Sequence, residues 1–223
     1  MKILALETST EYCSVALWQD GIIAERSALV GQKHSEMLIG MLDSLLQDAG
    51  LKIQDMHGIA FGKGPGSFTG VRIACGVAQG LALGANLQVV GICTLAALAQ
   101  AAGHPKVITA LDARMGELYL AAYEKQDDRW QEVIAPCLCK AGAAPVLGGV
   151  NWHGAGSGFL VSGDELSARY AGQISVINAQ SVPQAGAIAQ LAALEFAAGN
   201  SVDAALALPL YLRDKVALKT SER

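Results

Sequence analysis

The residues whose types and spacing could do chemistry begin with Gly64-Pro-Gly-Ser-Phe-Thr-Gly-Val-Arg72, directly after the apolar run Ile59-Ala60-Phe61. Glycine tolerates positive φ and close approach, and Pro65 stiffens the turn between Gly64 and Gly66. The segment therefore reads as a strand, a sharp turn and a helix starting near Thr69. Free N–H groups at such a helix start could hold an anion. No Lys-Ser or Lys-Thr pair follows Gly70, so this is not a Walker loop, and the glycine spacing is not that of a dinucleotide fingerprint. A purely structural turn explains the same residues and is the preferred reading.

Two further groups carry acids. Glu7-Thr-Ser-Thr10 closes the first apolar run. Glu7 could orient a hydrated Mg²⁺, or Glu7, Thr8 and Ser9 could simply satisfy the turn, which is preferred. Asp112, Arg114 and Glu117 sit where another hairpin should turn. They read either as a polar contact across a cleft or to a partner, or as an internal ion pair fixing the turn. The histidines, at 34, 57, 104 and 153, include no pair at helical ligand spacing. Cys137-Leu-Cys139 is too close for an ordinary zinc pair and has no Cys or His neighbours. Five cysteines without framework spacing point to reduced thiols and a cytosolic protein.

The elements that must position these groups follow from the apolar pattern. Lys2–Leu6 is a continuous apolar run, as in a doubly buried strand. Cys13–Trp18 is a second strand, and Asp20-Gly21 is a hairpin signal before a third at Ile22–Leu29. Leu38, Leu42, Leu45 and Ala49 have helical spacing, with Gly50 as a stop. A strand at Gly58–Gly62, a helix at Thr69–Leu83, a strand at Gln88–Ile92 and a helix at Leu95–Ala101 complete the unit. A second meander begins at Val107–Leu111 and continues through Leu118–Tyr123 and Trp130–Ile134. A short strand (Phe159–Ser162) and a long helix (Gln184–Ala198) follow.

This order predicts an α/β protein made of two ribonuclease-H-like halves, the first complete and the second trimmed. The expected division is 1–104 and 105–223, with the C-terminal helix free to pack back on the first domain. Hydrophobic residues make up 52% and charged residues 16% of the 223 residues, with a net charge of −4. That charge argues against a broad nucleic-acid footprint without excluding a place in an RNA-processing assembly. No uninterrupted apolar run approaches the ~18 residues of a bilayer span.

Gly76, Gly80 and Gly84 recur every four residues on the helix after the glycine loop, one turn beyond Arg72. Each glycine inside a helix costs ~0.5–1 kcal/mol relative to alanine, so a stripe of three needs a reason. Small side chains let a second backbone approach. Met37 and Met41 widen the apolar face of the preceding helix, and methionine adapts to more than one packing partner. The residues alone leave a second reading open, a core of small side chains within one subunit.

The motifs together resemble the TsaB (YeaZ) family, of the actin/Hsp70/sugar-kinase-like class. They are Ile3-Leu-Ala-Leu-Glu-Thr-Ser-Thr10 with Ser14-Val-Ala-Leu17, His34-Ser-Glu36, Gly64–Ile73, Asp112-Ala-Arg-Met-Gly-Glu117 and Pro209-Leu-Tyr-Leu-Arg213. The resemblance implies a non-catalytic subunit in making N6-threonylcarbamoyladenosine at position 37 of ANN-reading tRNAs. Its implied partners are TsaD, bound through the N-terminal domain, the ATPase TsaE, and tRNA through the complex. It moves the glycine stripe to the interface reading, with His34, Met37, Met41, Arg72, Gly76, Gly80 and Gly84 as interface candidates. An apolar face of this kind also predicts a homodimer when the chain is alone.

The catalytic relative carries a metal-binding His-x-x-x-His after the strand that follows the glycine loop. Here those positions hold Thr94 and Leu98, which are poor ligands, so neither a metal site nor a catalytic residue is expected. The class's first hairpin usually has an Asp and a Gly-Thr or Gly-Ser step. Glu7-Thr-Ser-Thr10 has an acid and no glycine, so no intrinsic cofactor is expected, and ATP or ADP would bind only weakly or at the partner interface. The rival readings are a small-molecule kinase and a metallopeptidase-like enzyme of the same superfamily.

Overall fold

A computed structural model describes residues 1–127 and 129–213. The first half runs β1 (Lys2–Glu7), β2 (Tyr12–Gln19), β3 (Ile22–Leu29), α1 (His34–Asp48), β4 (Gly58–Gly64), α2 (Phe68–Ala85), β5 (Gln88–Cys93) and α3 (Thr94–Ala102). Its sheet has the order β3-β2-β1-β4-β5. The meander is antiparallel, and β1, β4 and β5 are parallel to one another. β1 is buried on both faces because helices cover both. Leu4 and Leu6 point toward Leu38, Leu42, Ala74 and Ala78 of α1 and α2, while Ile3 and Ala5 point to the opposite core.

The second half contains β6 (Lys106–Asp112), β7 (Leu118–Gln126), β8 (Arg129–Cys139), β9 (Trp152–Ala155), α4 (Gly158–Val161), α5 (Gly163–Arg169) and β10 (Ile174–Asn178). Its order, β8-β7-β6-β9-β10, repeats that of the first sheet. The trimming is therefore in the helices and not in the strands. A three-residue 3-10 turn, Ala141–Ala143, stands where the first half has α1. The expected strand at Phe159–Ser162 is instead the short helix α4; the strand lies earlier, at Trp152–Ala155. β8 also runs through Pro136 to Cys139, further than expected. Proline is tolerated there because β8 is an edge strand with a register slip.

The last helix, α6 (Ala185–Ala197), packs on the first sheet, with Ala185, Ile188, Ala189 and Ala192 against Ile3, Ala5, Ala16 and Ala60. Its start is fixed by the Ser14 hydroxyl, which accepts from Ala185 N at 2.9 Å. α3 lies between the halves: Ala97 joins the α6 cluster, while Leu95, Leu98 and Ala99 pack with Val107, Leu111 and Tyr123 of the second sheet.

Candidate functional site

α2 is built to be buried on one side and open on the other. Ser67 caps it, its hydroxyl accepting from Gly70 N at 3.4 Å, and Asn86 ends it in the left-handed conformation at φ 53°. Val71, Ala74, Cys75, Ala78 and Ala82 are buried against the sheet. Arg72, Gly76, Gly80, Leu83 and Gly84 are exposed, and a Cβ on any of the three glycines would meet nothing within 4 Å. The stripe is thus not filled by any of the described residues. α2 is also long and apolar enough to cross a membrane by length and composition, although its alanine side is packed on β4 and β1.

The other interface candidates divide. Met37 is exposed and Met41 half-buried on α1, at the edge of the same core. His34 departs from expectation: it is only 5% exposed. Its Nε2 lies 2.8 Å from Thr10 O and 3.2 Å from Tyr12 O, holding the start of α1 against the β1–β2 turn. These two carbonyls hold the ring inward, so His34 is part of the interior of its own subunit.

Arg72 is held by aromatic rings. Its guanidinium carbon lies 3.6 Å from the Phe68 ring centre and 5.5 Å from that of Tyr211, and its Nε donates to the Tyr211 hydroxyl at 2.7 Å. Tyr211 belongs to a C-terminal strap that sequence reading did not foresee. Along it, Ala207 O accepts from Gln79 Nε2 at 3.0 Å, Leu210 N donates to Lys63 O at 2.6 Å, and Arg213 reaches the second half.

The glycine loop is packed against the first hairpin. Ser67 N donates to Ser9 O at 2.7 Å, and the Thr8 hydroxyl donates to Gly70 O at 2.7 Å. A Cβ on Gly66 would lie 2.7 Å from Ser9 O, and one on Gly70 would overlap Thr8 O. Thr8 and Ser9 are buried, so these two bonds close the seam between the hairpin and the loop, while the Ser9 hydroxyl has no partner among the described residues. Glu7 is equally buried. Its Oε1 accepts from Ser9 N, Oε2 has no partner, and a Cβ on Gly62 would overlap Oε2. Burial raises the Glu7 pKa, against the lowering effect of its Ser9 bonds. A carboxyl so enclosed favours its neutral form.

The second half repeats this device. Asp112 N donates to the Ser157 hydroxyl at 3.1 Å, and a Cβ on Gly158 would lie 2.6 Å from Ala110 Cβ. Gly156, at φ 106°, abuts Ala110 O. The glycines at 156 and 158 are what permit this close approach. Asp112 pairs with Arg114 at 2.9 Å inside the β6–β7 turn, and Glu117 pairs with Arg213 at 2.6 Å.

Thr94 opens α3 fully buried with its hydroxyl unpartnered, and Leu98 is fully buried beside Gly156. Among the described residues no three His, Cys, Asp or Glu side chains converge as metal ligands would. A cleft of about 640 Å³ lies between β5, β8, α6 and the strap, lined by Tyr123, Trp130, Leu191, Val202 and Leu208 among others. None of the sequence-derived candidates lines it.

Residues 19–219 match the family model described as TsaD, tRNA N6-adenosine threonylcarbamoyltransferase. An Escherichia coli protein named tRNA threonylcarbamoyladenosine biosynthesis protein TsaB is 37% identical, over 98% of this chain and 97% of that protein. Its Haemophilus influenzae namesake is 34% identical over 98% and 96% respectively. The solved structure of YeaZ from Pseudomonas aeruginosa superposes with a TM-score of 0.89 at 36% identity, over 95% of this chain and 99% of that one.

Proposed function

The chain belongs to the TsaB (YeaZ) family, and from that premise we propose that it is a non-catalytic subunit in tRNA threonylcarbamoyladenosine synthesis. It acts in the cytoplasm on N6-threonylcarbamoyladenosine formation at position 37 of ANN-reading tRNAs. It docks TsaD through the exposed side of α2 and the adjoining Met37 edge of α1, orders the cleft of that enzyme and helps place tRNA, with TsaE completing the assembly. The same face forms a homodimer when TsaD is absent.

The observation that carries this reading is the stripe Gly76, Gly80 and Gly84, exposed and open, on a long apolar helix. A helix that gives up ~0.5–1 kcal/mol at each of three positions, yet leaves them unfilled, has the shape that a second backbone can approach closely. The closed seam at Thr8, Ser9 and Gly66 supports the non-catalytic part. In that seam two of the amides that could cradle a phosphate, Ser67 N and Gly70 N, are already engaged, by Ser9 O and the Ser67 hydroxyl.

Gly80→Leu tests it. The isolated variant should fold at least as stably as the parent, because leucine favours a helix and meets open space. It should fail to co-purify with TsaD and fail to support tRNA modification in a reconstituted assay. Undiminished TsaD binding would remove the stripe from the interface, and turnover of ATP or tRNA by the isolated chain would refute catalytic silence.

A further inference from the structure

Cys137 and Cys139 lie on β8, on either side of Leu138. Their antiparallel partners are Leu120 and Leu118, so both side chains leave the same face of the strand. Both are half-buried and pack on the second-half core with Leu118, Leu120 and Tyr170. Residues i and i+2 of a strand are ~6.6–6.8 Å apart at Cα, which is the upper end of the ~4.4–6.8 Å that a disulfide spans. Just before the pair the register slips, three residues of β8 (135–137) advancing against two of β7 (121–122, counted back from Leu120). A bulge of this kind bends the strand next to the pair, and across the pair itself the register is continuous.

β8 is the edge of its sheet, so one flank of the pair is not covered by another strand. The Cys137 thiol donates to Leu120 O at 3.5 Å, and the neighbouring Cys139 thiol draws the Cys137 pKa down while its own is raised. The remaining cysteines are placed differently: Cys13 and Cys75 are buried, and Cys93 faces the Tyr123 hydroxyl at 3.7 Å.

We propose that Cys137 and Cys139 are an oxidant-responsive modification site that closes to an intrastrand disulfide on reaction with a peroxide. The Cys137 thiolate attacks one peroxide oxygen, the O–O bond breaks, and the departing hydroxide takes a proton to leave as water. Cys137 is then a sulfenic acid. The Cys139 sulfur attacks the Cys137 sulfur, the S–O bond breaks, and the hydroxide released takes the Cys139 proton. Two thiols have lost two electrons and two protons, and one hydrogen peroxide has become two waters. A disulfide closed at the limit of its span is strained, so thiols reduce it readily and the modification is reversible.

The full chain is treated with hydrogen peroxide, free thiols are blocked with N-ethylmaleimide, and the tryptic peptide 130–140 is weighed. The expected result is a peptide lighter by two hydrogens and carrying no maleimide, converted to the doubly alkylated form by dithiothreitol before blocking. In Cys137→Ser, Cys139 should remain alkylatable at the same dose. In Cys139→Ser, Cys137 should proceed to the sulfinic acid, having lost its resolving partner. Thermal melts of both serine variants establish that they are folded. Two alkylated cysteines after oxidation of the parent, pairing of either with another cysteine, or equal oxidation of Cys139 without Cys137 would overturn the proposal.

Discussion

Arg213 and Glu117, 96 positions apart in the chain, form an ion pair at 2.6 Å that ties the C-terminal strap to the β6–β7 turn. The same guanidinium donates to Arg114 O at 3.4 Å. Two residues earlier, Tyr211 meets Phe68 and Arg72 on α2. One short segment therefore links the exposed helix face, the glycine loop and the second half.

Arg213→Ala should loosen this link. The pair is partly exposed, with side-chain exposures of 15% and 31%, so its loss should cost only about 1 kcal/mol. Amide exchange should quicken at residues 114–117 and 207–211 together. Exchange that quickens at only one of the two sites would show that the strap does not couple them.

The seam between the glycine loop and the first hairpin makes a ranking. Gly70→Ala drives its methyl into the Thr8 carbonyl, a backbone atom that cannot swing away. It should cost ~3 kcal/mol or more. Gly66→Ala meets Ser9 O at 2.7 Å and should cost less, ~1–3 kcal/mol. Thermal melts with and without millimolar Mg-ATP check both points. The order should hold in each, and strong stabilisation of the parent by nucleotide would reopen the phosphate reading.

On α2 the sign reverses. Gly80→Ala adds a methyl in open space on an exposed helix face, so the isolated chain should gain ~0.5–1 kcal/mol from helix propensity. A raised unfolding midpoint in urea is the expected reading. A lowered one would place Gly80 in a contact within the chain.

His153 sets a pH dependence. Its ring is buried, with Nδ1 unpartnered, and stacks on His104 at 4.0 Å. Burial first, and His104 second, lower its pKa. The unfolded chain then binds the proton more readily, so the contribution is complete above the unfolded histidine value, ~6.5, and is lost as pH falls below it. Glu7, with its pKa raised, acts with the opposite slope, losing stability as pH rises through its folded value. His153→Phe keeps a ring against His104 and removes the proton. Its melting temperature should fall less than the parent's between pH 7.5 and 5, and equal falls would assign the acid sensitivity elsewhere.

The sequence by itself determined the elements of the first half, because period-2 and period-3.6 apolar patterns are local and β1, α1 and α2 each carry a complete one. It also identified the α2 stripe, since Gly76, Gly80 and Gly84 need only helical geometry to share a face. The family motifs spanned the chain from Ile3 to Arg213 in the same local way. Tertiary structure alone decided where His34 points, since the Thr10 and Tyr12 carbonyls that receive it belong to another element. It likewise resolved Asp112, Arg114 and Glu117 into ion pairs, one of them with Arg213. β9 and β10 were not legible because they are short and lie beside glycines that interrupt the pattern, so pairing of β9 with β6 and of β10 with β9 makes them strands. A contact between distant residues is fixed by which strands lie side by side, and periodicity along one segment does not carry that information.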